Sequence, residues 1–332
     1  MKFSKIGMLL LGSAIGIGIS ILVSLAFGAR YVEFREVISI LLNPENTSFD
    51  ALVVRERIPR TVFSIVAGAS LGVSGALMQA ITRNPIADPS ILGVNTGASL
   101  FVVSGIAFFN INTPNQYIWF ALVGAAITAI FVYGIGSLGH GGATPIKLAL
   151  AGAATSAALS SLVSAVILPR TEVMNAFRFW QVGSVSGATW DGIFTVAPFL
   201  IIGILIGIFS TPALNALALG DDMATGLGVR TGLVRMIGAI AAVLLCGATT
   251  ALTGPIGFVG LMIPHIMRLI CGPNMTYIVP MSAVGGAVLL TLSDTIGRLI
   301  GSPGELEAGI VTAFLGAPIL IMIAMRVKVR SL

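Results

Sequence analysis

Residues 193–210 read IFTVAPFLIIGILIGIFS, eighteen residues without one charged side chain. A stretch of this length and composition is typical of a membrane-crossing helix, because a span needs about 20 mostly apolar residues. The whole chain has the same character: 9% of its 332 residues are charged and 56% are hydrophobic. A water-facing surface needs about 25–35% charged residues. The composition therefore excludes a soluble enzyme, a disordered protein and a nucleic-acid binder.

A search for similar windows along the chain predicts ten spans. They cover residues 6–28, 61–81, 91–109, 117–138, 146–168, 193–210, 233–252, 255–270, 277–300 and 306–325. The eighth window is short and contains Pro255 and Pro264, so we expect it to be kinked or broken. The sequence predicts an all-α polytopic membrane protein with about ten transmembrane helices, forming one domain over 1–332.

The distribution of charged residues indicates that the eighth window crosses the membrane. With ten spans and a cytoplasmic N-terminus, all four lysines lie on the cytoplasmic side, as the positive-inside rule requires. If 255–270 did not cross, the basic tail 326–330 would lie outside. Both termini are therefore expected in the cytoplasm, and the net charge of +5 reports topology.

Eight arginines are predicted on the outer side, against the rule, and three of them lie close to the ends of spans. Arg57 and Arg60 precede the second span, and Arg298 lies near the outer end of the ninth. They could lie at the interface and pair with Glu56 and Asp294, or they could form a basic rim that receives an acidic partner. The residues alone leave both interpretations open.

The two halves of the chain resemble each other at an offset of 170 residues. This offset aligns 60–61 with 230–231, 68–69 with 238–239 and 85–86 with 255–256. It relates spans two and seven, which run in opposite senses, and inverted repeats of this kind are typical of transporters. We therefore expect pseudo-symmetric inverted halves, about 1–190 and 191–332.

The cytoplasmic loop 211–232 could carry two short helices. Pro212 can begin the first and Gly220 can end it, while Asp221 and Asp222 favour the start of a second. The alternative is an ordinary connecting loop. The chain offers no catalytic constellation, phosphate-binding Gly-rich loop or metal-ligand spacing. We therefore expect no enzyme activity and no cofactor, and any energy for transport must come from elsewhere.

Six sequence motifs resemble one family of membrane transport proteins. They are RIPRT (57–61), GALMQ (75–79), NPIADPSILG (84–93), LGDDMATGLG (219–228), GPIGFVGLMIPHIMR (254–268) and LGAP (315–318). Together they resemble the iron–siderophore and cobalamin permeases, the FecCD-type membrane subunits of ABC importers. The resemblance covers nearly the whole chain and implies the type II ABC importer permease fold.

The resemblance also implies partners. These are a second permease subunit, identical or paralogous, two cytoplasmic ATPase subunits that bind the ATP, and an extracellular or periplasmic substrate-binding protein. The implied location is the bacterial cytoplasmic membrane. The expected cargo is a ferric siderophore; cobalamin or haem is the alternative within the family, and an ion-gradient-driven secondary transporter is the alternative from another class.

Three sets of site residues follow from matching positions in the family. ATPase coupling falls on Leu219, Gly220, Asp221, Asp222, Ala224, Gly226 and Gly228; docking of the binding protein falls on Arg57, Arg60 and Arg298; the gate falls on Asn84 and Ile86. Spans five and ten would line the central path, with small or weakly polar side chains on span five. Those side chains recur at helical period and are Ala151, Gly152, Thr155, Ser156, Ser160 and Ser164. Simple helix packing explains that stripe equally well.

Overall fold

The computed structural model describes residues 3–43, 45–139 and 144–326, and these fold entirely into helices and connecting turns. The helices are α1 Phe3–Ala26, α2 Phe34–Leu42, α3 Phe49–Thr82, α4 Val94–Phe109, α5 Pro114–Ser137, α6 Pro145–Ile167, α7 Thr171–Val182, α8 Trp190–Phe209, α9 Thr211–Leu217, α10 Asp221–Gly226, α11 Thr231–Thr253, α12 Val259–Cys271, α13 Met275–Ile300 and α14 Ala308–Arg326. A short 3-10 helix, Pro89–Leu92, precedes α4.

Ten of the described helices match the ten predicted spans. Seven are long and apolar enough to cross a bilayer, and three shorter apolar helices occupy spans three, eight and ten. The eighth span is shorter than predicted, because its helix begins at Val259 and not at Pro255. Gly254 and Phe258 both adopt positive φ, which holds the segment between them out of a helix.

Two helices were not predicted. α2 lies between spans one and two, and α7 lies between spans five and six. Both are shorter than a span and mix charged with apolar residues, so a search for apolar windows passes over them. Val37 and Ile40 of α2 are buried, as are Val173 and Phe177 of α7, so each helix packs against the spans through one face.

Helix α3 forms the centre of the molecule. It is 34 residues long, or about 50 Å, and it begins well before the predicted window 61–81. Glycines let other helices approach it closely: a Cβ on Gly68 would collide with the carbonyl of Gly286, one on Gly72 with that of Ser282, and one on Gly75 with that of Gly260. Small residues at such contacts are typical of helix packing in membranes.

The inverted repeat appears as two similar breaks. After α3 the chain turns at Arg83 and passes through Pro85 before α4; after α11 it turns at Gly254 and passes through Pro255 before α12. Each long helix is thus followed by a proline-containing turn and a shorter helix.

Candidate functional site

The segment 211–230, called the knob from here on, consists of two short helices. Pro212 lies in the first turn of α9, and Gly220, at φ +107°, separates α9 from α10. The prediction of a helical pair is confirmed, and the alternative of an ordinary loop is wrong. Asn215 fixes the knob to α13: its Nδ2 donates to Oδ1 of Asn274 at 3.0 Å, and its Oδ1 accepts from the N–H of Met275 at 2.8 Å.

The knob presents apolar side chains to its surroundings. Leu219, Met223 and Leu227 are 61%, 60% and 62% exposed, and Asp222 is exposed beside them. Ala224 is fully buried. The Ala224 side chain is therefore not part of this exposed surface, and its role in contact with a partner stays a prediction. Gly226 and Gly228 are exposed, and Gly228 ends the segment at positive φ.

Asp221 is 42% exposed and forms ion pairs with two arginines of the chain. Its Oδ1 accepts from Nη2 of Arg235 at 2.9 Å and lies 3.3 Å from Nη2 of Arg83. The first partner is at the start of α11 and the second directly follows α3. The Asp221 carboxylate therefore already has partners within the chain, and its contact with an ATPase subunit stays a prediction.

The residues predicted as a gate lie in the turn 83–88, called the gate turn from here on. Asn84 is exposed, and its Oδ1 accepts from the N–H of Ile86 at 3.1 Å. The Ile86 side chain is 47% exposed. Asp88 accepts from the N–H of Ser90 at 2.9 Å, and removal from water raises the pKa of Asp88 above its ordinary value.

Gln79 is a polar residue whose role could not be inferred from the sequence. It is 2% exposed, and its Nε2 donates to the carbonyls of Leu261 at 3.1 Å and Gly260 at 3.4 Å. The Gly260 carbonyl lacks its normal helical donor because residue 264 is a proline, which has no N–H. Oε1 of Gln79 accepts from Nη1 of Arg268 at 3.3 Å. The Gln79 side chain thus connects the end of α3 to α12.

At the other end of α3 lie five charged residues, called the arginine cluster from here on: Arg57, Arg60, Asp294, Arg298 and Glu305. Two of its arginines are buried, Arg57 at 9% exposure and Arg298 at 3%. Arg57 donates to the carbonyls of Leu25 at 2.7 Å and Arg30 at 2.6 Å. Arg298 donates to the carbonyl of Ser24 at 3.1 Å and lies 3.2 Å from Asp294.

Arg60 joins the two carboxylates of the cluster. Its Nη2 lies 2.7 Å from Asp294, which is 1% exposed, and its Nη1 lies 2.8 Å from Glu305, which is 41% exposed. The guanidinium groups therefore already have partners within the chain, and a basic rim that receives an acidic partner stays a prediction. Pairing with Asp294 is confirmed. The cluster borders a cavity of about 400 Å³, and docking of a binding protein there stays a prediction.

The predicted path residues on α6 fall into two groups. Gly152 is buried, because it packs against the carbonyl of Ile91, so Gly152 does not line a path. Ser156 accepts from Oγ1 of Thr96 at 3.3 Å, and Thr155 is half-buried. Ser160 and Ser164 are exposed and border a cavity of about 250 Å³.

These features define a class of protein: a polytopic helical membrane transporter component, with an apolar knob at one end of α3 and a closed charge cluster at the other. The FecCD transport family matches residues 16–326. The chain belongs to that family, whose members are transport components of ABC transporters and not their catalytic subunits.

Relatives and a solved structure agree with this assignment. The chain is 40% identical over 303 residues to the probable siderophore transport system permease protein YfiZ of Bacillus subtilis, covering 91% of each chain. It is 40% identical over 304 residues to the ferric enterobactin transport system permease protein FepD of Escherichia coli, covering 91% of this chain and 90% of FepD. A solved structure described as an inward-facing metal-chelate type ABC transporter superposes with TM-score 0.83 at 26% identity, covering 97% of this chain and 99% of that one.

Proposed function

We propose that this chain is the permease subunit of an ATP-driven importer that carries a ferric siderophore across the cytoplasmic membrane. The observation that supports this best is the knob, a folded pair of helices with exposed Leu219, Met223 and Leu227. Exposed apolar side chains grouped on a rigid element are typical of a surface that another protein covers. The partner is an ATPase subunit, which binds the ATP.

The knob is suited to mechanical coupling. Asn215 fixes α9 to the start of α13, and Asp221 fixes α10 to Arg83 and Arg235. A force applied to the exposed side chains therefore reaches the spans through several bonds. Closure of two ATPase subunits would push the knobs and switch the path between the two faces of the membrane.

A second permease subunit completes the path. Only Leu148, Gly152 and Val163 of α6 are buried within this chain, and the exposed face of the helix carries small residues. Ala153, Ala154, Ala157 and Ala158 are all exposed, and such residues allow helices of two subunits to approach closely. Ser160 and Ser164 then lie beside the path, with weakly polar walls that favour passage without tight binding.

The cargo is inferred from relatives. YfiZ and FepD are named for siderophore and ferric enterobactin transport, and a bulky iron chelate suits a path between two subunits. The binding protein delivers it on the side of the arginine cluster, where acidic residues of that protein would replace Glu305 as the partner of Arg60. Glu305 is the exposed member of that pair, so the exchange leaves Asp294 in place.

The test is reconstitution into proteoliposomes with the ATPase subunits and the binding protein, using ⁵⁵Fe-loaded siderophores as cargo. Uptake is expected only when ATP and both partners are present. A parallel series with labelled cobalamin and haem identifies the cargo. Accumulation driven by a salt or pH gradient with this chain alone would contradict the proposal and indicate a secondary transporter.

A further inference from the structure

Arg83 occupies a position that favours glycine. It directly follows α3 and adopts φ +50° and ψ +32°, the left-handed region in which a Cβ is sterically unfavourable. Helices commonly end at such a residue, and glycine is the usual choice. This backbone conformation is unfavourable for any residue with a side chain. The turn itself therefore gives no reason for an arginine at position 83.

The Arg83 guanidinium reaches the knob. Its Nη2 lies 3.3 Å from Oδ1 of Asp221, the first residue of α10. Nη2 of Arg235 donates to both oxygens of the same carboxylate, at 2.9 and 3.0 Å. Asp221 thus joins the knob to two spans, at the end of α3 and at the start of α11.

Arg83 is also the first residue of the gate turn. Asn84 and Ile86 follow it directly, and both are exposed. Four residues earlier, Gln79 connects the end of α3 to α12. The α3 side of Arg83 is therefore held, whereas the gate turn beyond it is held by short local bonds such as that from Ile86 to Asn84. A displacement of Arg83 acts first on the gate turn.

We propose that the Arg83–Asp221 ion pair, braced by Arg235, transmits the displacement of the knob to the gate turn within one subunit. Arg83 and Asp221 are positioning residues for transport, and neither contacts cargo or nucleotide. This inference rests on the proposed function, because it assigns a route to the coupling between ATPase and gate.

The test uses Arg83→Gly, Asp221→Asn and the double variant. Arg83→Gly removes the guanidinium and suits the left-handed backbone, so the turn should fold at least as well as before. Asn110→Gly is the matched control, since Asn110 ends α4 at φ +52° and takes no part in the knob or the gate turn. The measurement is cargo taken up per ATP hydrolysed, in proteoliposomes with the ATPase subunits and binding protein.

Each single variant should lower that ratio by about two- to five-fold, the range expected for a partly exposed ion pair. The double variant should lower it no further than Asp221→Asn alone, because both changes remove the Arg83–Asp221 pair and Asp221→Asn also weakens the contact with Arg235. Asn110→Gly should leave it unchanged. Unchanged ratios in the single variants, or effects that multiply in the double variant, would overturn the inference. Co-purification with the ATPase subunits is measured alongside. If the wild-type chain does not co-purify with them, the proposed function itself is contradicted. If it does co-purify, unchanged ratios in the variants contradict only the role of the Arg83–Asp221 pair.

Discussion

The two ends of α3 use charge in opposite ways. Arg60 and Arg83 are about 35 Å apart along this helix. At the Arg60 end, the arginines form ion pairs with Asp294 or donate hydrogen bonds to backbone carbonyls. At the Arg83 end, the ion pairs to Asp221 are partly exposed and lie beside apolar side chains that nothing in the described chain covers.

This difference separates a stabilising role from a binding role. A buried charge without its partner is strongly destabilising, so the arginine cluster must be complete before the protein folds stably. The ion pairs of the knob contribute little to the stability of the fold, since surface ion pairs contribute about 0–1 kcal/mol. Its exposed leucines and methionine are therefore available to a partner without loss of stability.

Removing charge from the arginine cluster should have the largest effect. Asp294→Asn keeps the shape of the side chain but leaves Arg60 and Arg298 without their shared carboxylate. We expect a loss of about 3–5 kcal/mol in stability, measured as a lower melting temperature in detergent. Glu305→Gln is the control at the exposed partner of Arg60, with an expected loss below about 1 kcal/mol. Equal losses of stability in the two variants would contradict this prediction, because the buried and the exposed carboxylate would then contribute equally.

The knob should show the reverse behaviour. Met223→Ser should weaken binding of the ATPase subunits by about 2 kcal/mol, or about 30-fold, as for an interface anchor, and change stability by less than about 0.5 kcal/mol. Binding is measured by titrating the purified subunits. Ile38→Ser changes a side chain that is 47% exposed on α2 and should leave binding unaltered. A Met223→Ser variant with a lowered melting temperature but normal binding of the ATPase subunits would contradict this prediction.

The link between α3 and α12 should have an intermediate effect. Gln79→Leu leaves the Gly260 carbonyl and Arg268 without their partner, and we expect a loss of about 1–2 kcal/mol. Pro264→Ala restores an N–H at residue 264. In that background, Gln79→Leu should cost less, because the Gly260 carbonyl regains a helical donor. Equal losses in both backgrounds would show that this carbonyl is not what Gln79 satisfies.

Asp88, the last residue of the gate turn, should affect how stability depends on pH. Its raised pKa means that the folded chain holds the proton more tightly than the unfolded chain. Stability from this group is therefore greatest below the unfolded pKa of about 3.9 and falls as pH rises through the folded pKa. Asp88→Asn keeps an oxygen for the Ser90 N–H and should remove that fall, so the variant should be more stable than wild type at pH 7. Melting temperature against pH checks this, with Asp222→Asn as the control; a Asp88→Asn profile that still falls with pH would contradict it.

The spans and the knob could be predicted because their signals are local. Apolar windows locate the ten crossings, and Pro212 and Gly220 place the ends of α9 within the predicted loop. The two additional helices could not be found in this way. The burial of one face depends on tertiary contacts, of α2 with α1 and α3 and of α7 with α4 and α6.

The roles of the site residues stay predictions, and the surroundings of these residues could not be predicted from the sequence. Whether Arg57 is free or buried depends on carbonyls of Leu25 and Arg30, in another segment. Asp221 lies far in sequence from Arg83, and Gln79 far from Arg268. Such pairings follow only from the packing of helices, so the sequence indicated which residues are polar and near a face, but not which were already bonded.

The glycines of α3 restrict how the molecule can change shape. Where Gly68, Gly72 and Gly75 meet α13 and α12, backbone touches backbone, and there are no side chains whose rotamers could absorb a sliding motion. We therefore expect α3, α12 and α13 to move together as one rigid body. A rearrangement that opens or closes a passage then takes place at the surfaces of this rigid body, where larger side chains or another subunit contact it.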